Sequence, residues 1–282
     1  MPDTAREETE RHIVDRLIRE RAPGLSSSRV WPVVKPLLYA LLNYRAARRL
    51  ADEIGAMAGG EALDHVSRRL QLRTSAKGLE RVPEAGRCLV LANHPTGIAD
   101  GIAMYDVLRP RRPDVCFFAN ADARRVCPGF DDVLVPVVWP AEARSMQSSK
   151  ETLRMASEAL ENDRALVIFP SGGIARYRKG RLHDLEWEDT AVSLARKFSA
   201  PVVPAHMAGP FPWQFHLFDR ISNELRDVSL FHELLNKQGK AYAITFGPAI
   251  EAERLPDDEA AIERLQAYVE RTLGEDPDAR FA

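Results

Sequence analysis

RCLVLANHPTGIADGIAMYDVL, residues 87–108, is the stretch that decides the fold. Residues 87–93 (RCLVLAN) read as a strand of the buried type, apolar on both faces as in a parallel sheet. Residues 94–97 (HPTG) follow, with Pro95 and Gly97 suited to turning the chain. Residues 98–108 then read as a helix. Strand, turn and helix in that order make the first half of a βαβ unit. The same rhythm continues downstream. Residues 115–119 (VCFFA) and 133–138 (VLVPVV) read as strands, and 146–162 as a helix with Leu153, Ala156 and Leu160 on one stripe. A strand at 165–169 (ALVIF) runs into PSGG. A helix at 190–198 precedes a strand at 201–206 (PVVPAH). A late strand at 242–246 and a helix at 259–273 close the chain. This alternation predicts an α/β fold, a mixed, largely parallel sheet flanked by helices.

Composition narrows the function classes. Of 282 residues, 45% are hydrophobic and 28% charged, which excludes a disordered or collagen-like chain. Lys plus Arg number 39 and Asp plus Glu 41, a net charge of -2, so no nucleic-acid partner is indicated. Three cysteines (Cys88, Cys116, Cys127) are too few and too scattered for a disulfide framework and form no CxxC pair for zinc. A reducing compartment fits them best.

The N-terminal part has a different character. Residues 5–20 read as a short charged helix, and 23–28 (PGLSSS) as a polar break. Residues 33–57 read as one helix bearing Leu37, Leu38, Leu41, Leu42 and Leu50 beside Arg45, Arg48 and Arg49. Two readings stay open for it: a helix packed on the main domain with a solvated basic face, or an amphipathic helix lying on an anionic membrane surface. The division expected is 1–74, a helical and membrane-associating segment, and 75–282, the catalytic domain. Residues 1–22 lack the apolar core of a signal peptide. The apolar stretch 30–42 holds Pro32, Lys35 and Pro36 and falls short of the roughly 20 residues a span needs. The expected location is cytoplasmic, peripheral on the cytoplasmic face of the membrane.

In an open α/β sheet, chemistry gathers beyond the carboxyl ends of the strands. His94 stands at one such end and Asp100 six residues later, so they meet only if the chain turns at Pro95 and Gly97. A carboxylate on one imidazole nitrogen would leave the other free as a base. The plainer alternative is that His94 ends a strand and Asp100 caps a helix. The second strand end, Phe169-Pro170-Ser171-Gly172-Gly173, lets backbone approach a ligand. Arg176, Arg178, Lys179 and Arg181 follow, either as an anion site or as a solvated basic loop. His206, in an apolar run, reads as a satisfied core histidine. Ser171 is no hydrolase elbow, because Gly-x-Ser-x-Gly lacks its first glycine here and Pro170 stiffens the chain before the serine.

NHPTGIADG at 93–101, FPSGGIAR at 169–176 and VVPAH at 202–206 resemble, in order and spacing, the first, third and fourth blocks of the phospholipid/glycerol acyltransferases, the family of the lysophosphatidate acyltransferases. The resemblance covers roughly residues 75–250. His-x5-Asp in place of the usual His-x4-Asp, together with residues 224–240, is similar to the branch of hemolysin-like and ornithine-lipid acyltransferases. The resemblance implies an O-acyltransferase that moves a fatty acyl group from acyl-CoA or acyl-carrier protein to a lyso-lipid hydroxyl. It makes His94 the general base, Asp100 its orienting carboxylate, and Thr96, Gly97, Ser171, Gly172, Gly173 and Arg176 the substrate-binding residues, with no metal or organic cofactor. Ser171 occupies the position of the family's phosphate-binding Glu, so a lyso-aminolipid competes with lysophosphatidate as acceptor. The second block has only a loose counterpart at 135–139, with Arg144 in place of its arginine. The competing functions are a non-catalytic peripheral membrane lipid-binding protein and a serine hydrolase.

Overall fold

The computed structural model describes residues 12–138, 144–178, 180–256 and 260–281. Five helices come first: α1 (Ile13–Arg21), α2 (Pro23–Ser27), α3 (Trp31–Leu41), α4 (Tyr44–Ile54) and α5 (Gly59–Leu70). Then follow β1 (Arg73–Lys77), β2 (Cys88–Ala92), α6 (Ile98–Leu108), β3 (Cys116–Asn120), α7 (Asp122–Val126), β4 (Leu134–Val137), α8 (Met146–Glu161) and β5 (Ala165–Ile168). A hairpin of β6 (Arg176–Arg178) and β7 (Arg181–His183) leads to α9 (Thr190–Phe198) and β8 (Val202–Ala208). The chain closes with α10 (Trp213–Ile221), α11 (Asn223–Val228), α12 (Leu230–Leu235), β9 (Ala241–Phe246) and α13 (Ala261–Ala267). A π-helical turn, Tyr268–Thr272, carries α13 into α14 (Leu273–Glu275).

The main sheet has the order β1-β9-β8-β2-β5-β3-β4. Five strands from β8 to β4 run parallel, and β9 turns antiparallel to β8, with β1 parallel to β9. The α/β expectation therefore holds, mixed orientation included. β2 lies between β5 and β8, with Leu91 opposite Ile168 on one side and Pro204 on the other. From β2 the chain fills β3, β4 and β5 on one side, then crosses to β8 on the other. A crevice at such a reversal, outside the strand carboxyl ends, is where α/β sheets bind ligands.

Alternation along β2 divides the core. Cys88, Val90 and Ala92 pack on one face with Leu50 and Ile54 of α4, Leu63 and Val66 of α5, and the apolar side of α6. Leu89 and Leu91 pack on the other face with α8, α9 and the C-terminal helix. Both faces are covered, which is why 88–92 is apolar throughout. A third cluster joins Val14, Ile18, Trp31 and Leu38 to Phe218 and Val228.

Three expectations need correction. The helix expected at 33–57 is two helices, because Asn43 takes a left-handed φ of 52° between them. The polar break at 23–28 contains the short helix α2, started by Pro23 at its first position. The basic loop after Arg176 is a hairpin. No helix among the described residues is long and apolar enough to cross a membrane. All three cysteines are free and buried, and burial pushes the thiols of Cys88 and Cys116 up to about 11.

Candidate active site

The turn between β2 and α6 folds His94 back onto Asp100. Gly97 makes this possible with φ 97° and ψ -145°, a conformation closed to other residues at low cost. A Cβ there would also sit 2.6 Å from Ile174 Cδ1, so the turn packs directly on the loop after β5. Asp100, in the first turn of α6, is fully buried. Its carboxylate accepts the N–H groups of Thr96 (2.8 Å) and Gly97 (3.1 Å) and the Thr96 hydroxyl (2.6 Å). Buried carboxylates need such donors. The Thr96 oxygen also meets the Tyr242 hydroxyl at 2.8 Å, which ties the turn to β9.

His94 Nδ1 lies 3.0 Å from Asp100 Oδ2. The distance is that of an ion pair, but the alignment is not that of a hydrogen bond, and Nδ1 has no other partner among the described residues. Catalytic pairs are often misaligned without substrate and tighten when it binds. With Nδ1 toward Asp100, Nε2 is the nitrogen left for chemistry. The ring stacks on Phe169, with centroids 4.5 Å apart and planes at 27°. Residues at the ends of two adjacent strands thus set its plane. The His94 carbonyl accepts Ala175 N–H at 2.9 Å, locking the two strand-end loops together.

A further carboxylate supports His94 from behind. The His94 backbone N–H points at Asp184 Oδ1 (3.0 Å) and Oδ2 (3.2 Å), and the Trp187 indole donates to Oδ2 at 2.9 Å. Asp184 N–H in turn donates to Glu270 Oε1 at 2.9 Å, within the π-helical turn. Burial pushes the Asp184 carboxyl up to about 7, against the opposing pull of its N–H donors. The residue retains some exposed surface, while its carboxyl group is enclosed. Asp184, Trp187 and Glu270 carry no motif, and the sequence gives no sign of them.

His94 opens on a cavity of about 490 Å³. Gly97, Phe169, Gly172, Gly173 and Arg176 line it near the strand ends. Leu50 and Ile54 of α4, Leu63 and Val66 of α5, and Phe117, Phe130 and Leu134 supply apolar wall. Arg144 also lines it, paired with Glu188 at 2.9 Å; Trp139 lies outside the described residues. Pockets of this size with a few fixed polar groups suit small organic ligands.

The other expected residues divide. Arg176 is half-buried, donates to the Ile174 carbonyl at 2.9 Å and lies over the Phe215 ring at 4.9 Å. Burial lowers the pKa of its guanidinium, and Asp219 Oδ2 at 3.8 Å counters this. Gly172 spends its N–H on the Phe169 carbonyl at 3.0 Å, which removes it as an oxyanion donor. Gly173 N–H has no partner among the described residues. Thr96 and Ser171 are not on the cavity wall. The Thr96 hydroxyl is consumed by Asp100, and the buried Ser171 hydroxyl donates to the Gly173 carbonyl at 3.0 Å. Both stiffen the turns that present the site. His206 Nδ1 lies 2.9 Å from the Val269 carbonyl, the satisfied core histidine expected for it.

Comparison with known proteins bears on this geometry. A family model described as Acyltransferase matches residues 73–208, which contain the His94 turn and the loop after β5. A lyso-glycine lipid O-acyltransferase of Phocaeicola vulgatus is 27% identical over 64% of this chain and 65% of its own. A second protein of that name, from Bacteroides thetaiotaomicron, is 23% identical over 84% of this chain and 87% of its own. Among solved structures, the 1-acyl-sn-glycerophosphate (LPA) acyltransferase PlsC of Thermotoga maritima aligns over 98% of this chain and 99% of its own, at 16% identity and a TM-score of 0.48.

Proposed function

We propose, from the match of residues 73–208 to the Acyltransferase family model and the similarity to two lyso-glycine lipid O-acyltransferases, that the chain transfers a fatty acyl group from a thioester, acyl-CoA or acyl-carrier protein, to the hydroxyl of a lyso-lipid. The observation that carries the proposal is the His94–Asp100 pair at the wall of an apolar cavity. The acceptor hydroxyl approaches His94 Nε2 and gives up its proton as its oxygen attacks the thioester carbon. Buried Asp100 stabilises the resulting imidazolium and holds the ring. The tetrahedral oxyanion needs N–H donors, and Gly173 N–H is the available one. Collapse breaks the carbon–sulfur bond, and the imidazolium returns its proton to the leaving thiolate. The products are an ester and a free thiol. No enzyme nucleophile is needed, and Ser171, committed to a carbonyl, offers none.

Arg176 binds an anionic group of donor or acceptor. The acceptor we favour is a lyso-aminolipid, because Ser171 stands where the family's phosphate-binding Glu would be, and because the two curated relatives are named for lyso-glycine lipid. The α3 surface and the exposed Arg45, Arg48 and Arg49 of α4 rest on the cytoplasmic face of the membrane. The test is a labelled acyl thioester supplied with lyso-glycine lipid, lyso-ornithine lipid or lysophosphatidate. Acylation of an aminolipid above lysophosphatidate supports the acceptor. No thioester consumption with any acceptor overturns the reading.

A further inference from the structure

α10 is apolar on two sides. Phe215 and Phe218 face inward and are buried. Trp213, Leu217 and Ile221, spaced four residues apart on one stripe, are 60%, 47% and 63% exposed. A helix that has already spent one apolar face on the core has no folding reason for a second. The stripe continues beyond the helix. Phe211 is exposed, stacks on His216 at 4.9 Å and meets the exposed ring of Tyr177 edge-on at 5.2 Å. Tyr177 belongs to β6, so helix and hairpin form one aromatic patch. Arg178 and Arg181 of the hairpin and Arg220 of α10 are exposed around it. The acids of the same segment turn away. Asp219 is held by Arg226 at 3.0 Å, and Glu224 accepts the N–H groups of Gly24 and Leu25. The patch is therefore apolar, aromatic and basic at once. It adjoins the site, because Arg176 starts the hairpin and lies over Phe215.

We infer that α10 and the 176–183 hairpin form a membrane-docking surface, separate from α3, that seats Trp213, Leu217 and Ile221 in the interface of a bilayer containing anionic lipid. Tryptophan and tyrosine prefer the headgroup level, where the ring is half in hydrocarbon and its polar atom remains wet. Leucine and isoleucine add apolar burial, and arginines add attraction to anionic headgroups that salt weakens. An acidic carrier protein would match the arginines but leave the apolar stripe unexplained. The inference needs no assumption about the reaction.

The test is sedimentation of the full chain with phosphatidylcholine vesicles, with and without phosphatidylglycerol. The triple variant Trp213→Ala, Leu217→Ser, Ile221→Ser, with α3 intact, should partition at least about tenfold more weakly to both. These residues are outside the cavity wall, so turnover of a detergent-solubilised acceptor should be unchanged, which also reports an intact fold. Arg178→Glu with Arg220→Glu should weaken binding only where phosphatidylglycerol is present. Brominated acyl chains should quench wild-type tryptophan fluorescence more than that of Trp213→Phe. Undiminished vesicle binding by the triple variant overturns the inference. So does a wild-type dimer that the triple variant dissociates, which would assign the patch to a second copy of the chain. Capture of acyl-carrier protein that the arginine variant abolishes, with vesicle binding unchanged, would assign it to that partner instead.

Discussion

At the end of β2, seven consecutive residues supply a histidine, its carboxylate and the turn that joins them. Beyond β5 and its hairpin, the segment that backs the site is joined to it by groups far apart in the chain. Asp184 reaches back 90 residues to His94 N–H, and Glu270 reaches back 86 to Asp184. The first region is determined locally: Gly97 allows the turn, and Asp100 satisfies Thr96 and Gly97. The second exists only when the sheet, the hairpin and the π-helical turn are all in place. A short motif can thus carry the reacting groups, while their orientation depends on the whole fold.

The comparison is broken most severely by removing the local carboxylate. Asp100→Asn leaves one acceptor oxygen for three donors, and the amide cannot balance an imidazolium. Turnover should fall by about a hundredfold or more. Stability should drop by about 1–3 kcal/mol for each donor left unpaired. Steady-state kinetics and thermal melts of the same preparation check both effects.

The distant carboxylate should act more through pH. With its pKa raised from the ordinary 3.8 to about 7, Asp184 stays protonated in the folded protein where the unfolded chain has already ionised. Its contribution to stability is therefore fully present below about pH 4, falls between pH 4 and 7, and is constant above 7. Asp184→Asn cannot ionise. The difference in Tm, variant minus wild type, should rise from pH 4 to 7 and then level off. A difference independent of pH would show that Asp184 is solvated. Because it holds the backbone and not the ring, its loss should lower kcat less than Asp100→Asn.

Smaller effects sharpen the contrast. Arg176→Ala should raise KM for one substrate by about tenfold or more, the worth of a charged hydrogen bond, while Arg181→Ala leaves it nearly unchanged. Equal KM values in wild type and Arg176→Ala would make the hairpin base a structural element only. Ser171→Ala loses one hydrogen bond, to the Gly173 carbonyl. It should keep at least about a tenth of the activity, and a serine-directed fluorophosphonate should not label the protein. Labelling at Ser171 would favour a covalent route.

How much of this the sequence made legible follows the same division. α6 and α9 fall at the residues expected, because both are bounded by strong local signals. β2 and β5 are legible as buried apolar runs. His94 and Asp100 are legible because the spacing and the turn residues lie together. α5, β1 and the helices between 213 and 235 are not legible in the sequence, since their apolar residues are interleaved with charge and their partners are distant. The single helix expected at 33–57 is broken at Asn43, a residue that tolerates left-handed backbone without a glycine to mark it. Thr96 and Ser171 were legible as polar residues near the site. Whether such hydroxyls face a ligand or a neighbouring backbone group is set by packing that no motif records. Asp184 escaped altogether, because an aspartate between a hairpin and a helix looks like solvated loop until the strands bring His94 beside it.

The central claim is that His94 takes the proton from the acceptor hydroxyl. Its most direct test is the rate of acyl transfer from a thioester to a lyso-lipid by His94→Ala, with the fold verified by circular dichroism. The account predicts a loss of about 10²–10⁴-fold, the contribution of a general base, with KM for the donor little changed. A near-normal rate in a folded His94→Ala protein would contradict it.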